Sequence, residues 1–374
     1  MDRKSSNSIK WDVKGNELPM WVADMDFSVF PPILDSLKKV VDTKVFGYTN
    51  IPDEYFKAYQ RWWKARHNVN FDPSWMIFSN GVVSSLDSLI RALSNHGDNI
   101  LILTPVYNCF FSVIKNNNRN QIESRLILKE GKYQIDFVDF ENKIKQYKPK
   151  LFILCNPHNP VGRVWSKSEL QEISNICKRY DVQIISDEIH CDITSPNIKY
   201  NPMHLIDDSV ITCLSATKAF NLAGIQSSVV VIKDKKTHDL IQEAFYHDDI
   251  GEPNVFALDP IITAFNHGDK WIDELNQYLE INKQEVYSFI SKELPHIKII
   301  KAEGTYLLWL DISFYSSDAD NFVKQLKEKT GLILSSGHIY GDDKHVRLNV
   351  GTSLNNVKDG LNRLRKYLNE LERK

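Results

Sequence analysis

Between residues 76 and 232, short runs rich in β-branched and apolar residues return again and again, separated by stretches with helical spacing. The runs are Met76–Phe78, Asn99–Leu103, Ser124–Leu128, Leu151–Cys155, Gln183–Ser186, Val210–Leu214 and Ser228–Ile232. Strands that alternate with helices pair mostly in parallel, because each crossover helix returns the chain to the same edge. This predicts an α/β fold, with a mostly parallel sheet sandwiched by helices. One of those helices carries its own start signal. Ser166 and Glu169 stand in capping-box register ahead of a stripe of Leu170, Ile173, Ile176 and Cys177.

After about residue 268 the pattern changes. Trp271, Leu275, Tyr278, Leu279, Val286 and Phe289 recur at helical spacing and predict one long connector helix over 271–290. Beyond it come an apolar run at Tyr306–Leu310, a helix over 318–330, a strand near His345–Val350 and a final helix striped by Val357, Leu361, Leu364, Leu368 and Leu371. The expected organisation is an N-terminal arm over 1–45 that packs on the small domain, a large domain over 46–268 and a smaller α+β domain over 269–374. In the arm, Pro31-Pro32 signals a helix start.

The charge balance excludes several classes of partner. Lys and Arg total 46 against 48 Asp and Glu, with no basic block, so the chain has no electrostatic footprint for nucleic acid or for an anionic membrane. No apolar run approaches the roughly 18 residues of a membrane span, and the first residues lack the apolar core of a signal peptide. A cytoplasmic protein with a small-molecule partner is the expectation. Five cysteines, an odd and scattered number, are expected to be reduced. Cys155 with His158, and His190 with Cys191, form neither of the paired arms of a structural zinc site, so no metal is expected.

Four strand ends carry residues suited to chemistry. Lys218 follows the run 210–214 and is flanked by Ser215, Thr217 and small residues. An amine at a strand's C-terminal end can be desolvated and made nucleophilic. Asp187 ends the run 183–186, where a carboxylate could face a cofactor's ring nitrogen. Asn156-Pro-His-Asn-Pro-Val-Gly-Arg163 predicts a rigid turn presenting Asn159. Asn80-Gly81-Val82 joins a strand to a helix, whose free N–H groups would suit a phosphate.

Taken in order, Asn80-Gly81, Pro105-Val-Tyr107, Asn156 to Arg163, Asp187-Glu-Ile-His190, Lys218 and Arg347-Leu-Asn349 resemble the fold type I pyridoxal phosphate enzymes related to aspartate aminotransferase. More narrowly, Trp21-Val-Ala-Asp-Met-Asp-Phe27, Phe46-Gly-Tyr48, Cys155 to Trp165, Ser186 to His190 and Gly304-Thr-Tyr306 are similar to the cystathionine β-lyase or C–S lyase branch, the MalY/PatB group. The resemblance implies that Lys218 holds pyridoxal 5'-phosphate as a Schiff base and then acts as the base. It implies that Asp187 pairs with the ring nitrogen, Asn159 with the ring oxygen, and that Tyr107 stacks on the ring. His190 would also approach the ring oxygen. Gly81, Val82, Ser215 and Thr217 would hold the phosphate. Tyr48 would enter from the neighbouring subunit of a homodimer with shared sites, and Arg347 would clamp the substrate carboxylate. Trp21 and Asp24 would either anchor the arm or line the substrate entrance.

Two departures bear on the reaction. Gln226 stands where aminotransferases carry a phosphate-binding Arg, and Ala219 follows Lys218 where the lyase branch has Thr. The implied activity is β-elimination of L-cysteine S-conjugates to thiol, pyruvate and ammonia. The alternatives are an amino-acid aminotransferase and a regulatory or partner-binding protein on the same fold.

Overall fold

The computed structural model describes residues 3–373. Seven strands form the large sheet: β1 (Met76–Ser79), β2 (Asn99–Thr104), β3 (Asn120–Arg125), β4 (Leu151–Cys155), β5 (Gln183–Asp187), β6 (Ile211–Leu214) and β7 (Ser228–Val231). Their order is β1-β7-β6-β5-β4-β2-β3. Neighbours are parallel except β7, which runs antiparallel to both β1 and β6. Successive side chains leave a strand on opposite faces, and here both faces are covered. In β2, Ile100 and Ile102 enter one core while Leu101 and Leu103 enter another. In β4, Ile153 and Cys155 oppose Phe152 and Leu154 in the same way. The expected α/β class and the mostly parallel sheet are what the chain forms.

One strand is displaced from its expected place. The sequence points to 124–128, whereas β3 ends at Arg125 and Ile127–Lys129 instead forms a small hairpin with Lys132–Gln134. β3 is an edge strand of largely polar, exposed residues, so its pairing leaves no apolar run to read.

Four further strands, β8 (Lys298–Ile299), β9 (Leu307–Asp311), β10 (Ser335–Ser336) and β11 (His345–Asn349), make an antiparallel sheet in the order β8-β9-β11-β10. The connector helix runs over Asp269–Glu293, and the last helix over Leu354–Glu372. The connector buries two polar residues in its stripe. Asn282 donates to the carbonyls of Val350 (2.9 Å) and Thr352 (2.8 Å), and Lys283 reaches Ser195 Oγ at 3.3 Å. It thereby ties the small sheet to the loop after β5.

The N-terminal segment spans both parts rather than lying on one. Leu18 and Pro19 pair in parallel with Leu332 and Ile333, and Asp26 N donates to Gly351 O (2.8 Å). The helix Pro31–Asp42 packs instead on the helix Asp259–His267. No helix among the described residues is long and apolar enough to cross a membrane.

Candidate active site

Because β1, β2, β4, β5 and β6 all point the same way, their C-terminal ends open on one edge of the sheet, where open α/β folds bind ligands. Lys218 follows β6, Asp187 ends β5, Asn159 lies in the turn after β4, Tyr107 follows β2 and Gly81 follows β1. The turn bearing Asn159 is closed by His158 N donating to Arg163 O and Gly162 N to His158 O, both at 2.8 Å. Gly162 has φ +73°, and a Cβ there would meet Ala302 Cβ at 2.5 Å, so only glycine fits. From the small sheet, β11 supplies Arg347, which is 4% exposed.

These groups act on one another electrostatically. Burial, followed by the Arg347 cation, brings the Lys218 amine down to about 8, against partial compensation from Asp24, Asp187 and Cys109. Burial raises the Asp187 carboxyl to about 6, opposed by the Ile189 N–H (3.2 Å) and by Lys218. His190 is held neutral, its pKa lowered to about 3 by burial and by the two cations, and its Nδ1 is buried without a partner. Arg347 donates to Asn159 Oδ1 (3.1 Å) and to the Trp21 carbonyl (2.9 Å), lies over the Tyr340 ring at 4.6 Å, and leaves Nε unpartnered. Lys218 Nζ donates to the Ala23 carbonyl at 2.7 Å, and Tyr306 Oη donates to the same oxygen at 2.9 Å.

The residues present fit pyridoxal phosphate. A buried carboxylate with one backbone partner needs a cation or proton donor, which a pyridinium nitrogen supplies. Asn159 commits Oδ1 to Arg347 and keeps Nδ2 as the donor a ring oxygen would take. Tyr107 is half-buried at the start of the helix Asn108–Asn116. Gly81 caps the helix Val82–Leu93, whose first-turn N–H groups would receive phosphate, and the Asn80 Oδ1 beside it is buried and unpartnered. Ser215 Oγ donates to Ser227 O (2.7 Å) and accepts from the Thr217 hydroxyl (2.8 Å), so a phosphate would draw Thr217 out of an existing bond.

Other expected site residues lie differently. Tyr48 is fully exposed and touches nothing of its own chain's site. Trp21 offers Arg347 its carbonyl. The Asp24 carboxylate is held by Arg3 (2.9 Å) and Lys10 (3.6 Å). Gln226 is exposed with φ +58°. Cys155 and His158 serve the turn, through Asn159 N (3.4 Å) and Pro105 O (2.8 Å). The group His67, Cys191 and Asp192 has ligating atoms within 4.8 Å, but Asp192 already accepts from Trp62 (3.1 Å) and His67 (2.8 Å). The sequence did not single out Ala23, Tyr340, Asn221 or Asn349 as site residues. A backbone carbonyl carries no residue-type signal at all, and of the two asparagines Asn349 stood in the quoted Arg347-Leu-Asn349 string without a role, while Asn221 was not quoted.

Known proteins are similar to this chain over nearly its whole length. The cystathionine β-lyase PatB of Bacillus subtilis is 38% identical, with 98% of each chain covered. A PLP-bound putative aminotransferase from Clostridium difficile is 41% identical with a TM-score of 0.94, over 98% of this chain and 97% of that one. Cystalysin from Treponema denticola, which contains pyridoxal 5'-phosphate, is 33% identical with a TM-score of 0.95, over 99% and 98%. The family profile of aminotransferase class I and II matches residues 22–364, and this chain belongs to that family.

Proposed function

We propose that this chain is a pyridoxal phosphate-dependent carbon–sulfur lyase that carries out β-elimination on L-cysteine S-conjugates, releasing a thiol, pyruvate and ammonia. The observation that carries the reading is the convergence of a low-pKa amine, a buried carboxylate and a buried guanidinium at one sheet edge. When bound, the cofactor supplies a ring that takes up the electron pair left at the substrate's α-carbon. The chain's residues do the rest. Arg347 binds the substrate carboxylate with a planar fork, releasing the Trp21 carbonyl. Asp187 would hold a proton at the ring nitrogen. Lys218, with a pKa of about 8, has a neutral fraction near pH 7 that can take the α-proton. Tyr107, Asn159 and His190 would border the ring, and Gly81, Val82, Ser215 and Thr217 would hold the phosphate.

Two cystathionine or C–S lyase relatives above 30% identity support the elimination reading. Transamination is the second reading, favoured by the family's name and by the Clostridium difficile relative. Gln226, exposed where a phosphate Arg would stand, weighs against it. The protein acts as a homodimer in which Tyr48 completes the partner's site, a reading supported by the exposure of Val45, Phe46 and Tyr48 together. Five free thiols are in keeping with the cytoplasm. The decisive assay supplies a cysteine thioether and no 2-oxo acid. Elimination regenerates the cofactor, so turnover continues with equal yields of pyruvate and thiol. A halt after about one turnover per site, relieved by 2-oxoglutarate, would establish transamination instead.

A further inference from the structure

Residues 20–27 cross the site as a strap whose backbone carbonyls accept hydrogen bonds from the two cations. The Ala23 carbonyl accepts from Lys218 at 2.7 Å and the Trp21 carbonyl from Arg347 at 2.9 Å. The strap hangs from two carboxamides, each within three residues of one of those cations. Asn221 Oδ1 accepts from Met25 N (3.0 Å), and its Nδ2 donates to Met25 O (2.9 Å) and Phe27 O (3.1 Å). Asn349 Nδ2 donates to the carbonyls of Val22 and of Asp24 (2.7 Å for the latter), while its Oδ1 accepts from Gly351 N at 2.6 Å. Two glycines let the strap sit this close. A Cβ at Gly351 would meet Met25 Cγ at 2.7 Å, and one at Gly360 would meet Met20 Sδ at 2.5 Å.

An asparagine side chain that bonds both the N–H and the C=O of one distant residue copies a strand neighbour and fixes that backbone in place. We propose that Asn221 and Asn349 are positioning residues that suspend the strap over the site, so that its Ala23 and Trp21 carbonyls orient the Lys218 amine and the Arg347 fork. The proposal rests on the assignment of Lys218 and Arg347 as base and carboxylate anchor. In it, the substrate carboxylate takes the Arg347 donor that the Trp21 carbonyl holds at rest, and the Lys218 amine keeps Ala23 as its acceptor when it is not bonded to the cofactor. Arg347, Asp24, Asp187 and Cys109 are the charged and titratable groups that face that amine.

The test compares full-length wild type with Asn349→Ala and with Asn221→Gly, a change that tolerates the φ of +58° at that position while removing the carboxamide. Deuterium uptake by the peptide covering 20–27 should quicken by at least about tenfold in both variants, with β2 unchanged. With a cysteine thioether, kcat/KM should fall by at least about tenfold, mostly through KM. In the cofactor-free chain, the pH dependence of Lys218 acylation by an amine-directed reagent should shift towards an ordinary lysine. A strap that loosens while kinetics and the Lys218 titration stay at wild-type values makes the two asparagines merely structural and overturns the proposal. An unchanged uptake rate overturns it as well. Should Asn349→Ala not fold, Asn349→Asp keeps the acceptor for Gly351 and removes both donors, and the same outcomes apply. Failure of the lyase reading is separate, because it shows as absent turnover in the wild type, while uptake and acylation still report on the strap.

Discussion

At the scale of single residues, the site is an arrangement of groups that are unstable alone and useful together. Asp187 is 3% exposed, and its one backbone donor and the Lys218 cation offset the burial of its charge only in part. Its pKa is raised from 3.8 to about 6. For a group raised on folding, the stabilising contribution is full below the unfolded value and disappears as pH rises through the folded one. In the cofactor-free protein it is therefore lost between about pH 4 and pH 6. Asp187→Asn keeps a neutral acceptor for Ile189 and should make the cofactor-free chain more stable at pH 7 by about 2–3 kcal/mol, with the gain absent at pH 4. The same variant should bind the cofactor poorly and lose turnover. Urea melts at the two pH values check the sign, and equal stability at both would mean that the carboxylate is solvated or paired after all.

Elements show how sequence signals and packing divide the work. The helix Lys167–Arg179 begins where its capping box lies: Ser166 Oγ accepts from Glu169 N (3.2 Å) and Glu169 accepts from Ser166 N (2.7 Å). Both Glu169 oxygens also accept from Arg163 Nη2, at 2.8 and 3.0 Å, which ties this cap to the turn that bears Asn159. The connector helix was legible as a helix and its buried face in part: Leu275, Leu279 and Val286 are buried as the stripe predicts, but so are Asn282 and Lys283, while Trp271 and Phe289 are only partly buried. Its start depends on Gly268, where the φ of −91° would suit any residue yet a Cβ would lie 2.4 Å from both Ala264 O and the Phe220 ring. Gly268→Ala should therefore cost about 2 kcal/mol or more by overpacking against backbone, read as a lower urea midpoint with an unchanged slope. A change below about 0.5 kcal/mol would show that the junction can shift to make room.

For the whole molecule, the consequential question is whether one chain holds a complete site. Tyr48 projects from a segment exposed over 43–48, beside Val45 and Phe46, and makes no contact with the strand ends of its own chain. If it completes the neighbour's site, inactive Tyr48→Phe mixed with inactive Lys218→Ala should recover activity, because one of the hybrid's two sites then receives both native residues. The ceiling is about a quarter of wild-type activity when subunits exchange at random, since half the dimers are hybrids with one good site each. Proven subunit exchange without recovery would place Tyr48 outside the chemistry.

The sequence by itself determined what depends on local periodicity and on residue type at a strand end. The α/β class, the central strands, the capped helix and the placement of Lys218, Asp187, Asn159 and Gly81 after their strands could all be read from it. A strand buried on both faces must be apolar, and a ligand edge must gather polar residues where strands stop. Tertiary structure alone decided the edge strand β3, whose exposed residues need no apolar run, and the buried polar stitching of Asn282 and Lys283. It also decided the strap, since Lys218 and Ala23 are 195 residues apart and Arg347 and Trp21 are 326 apart. What joins them is a backbone carbonyl that every residue possesses, so only the fold can choose which one faces the amine.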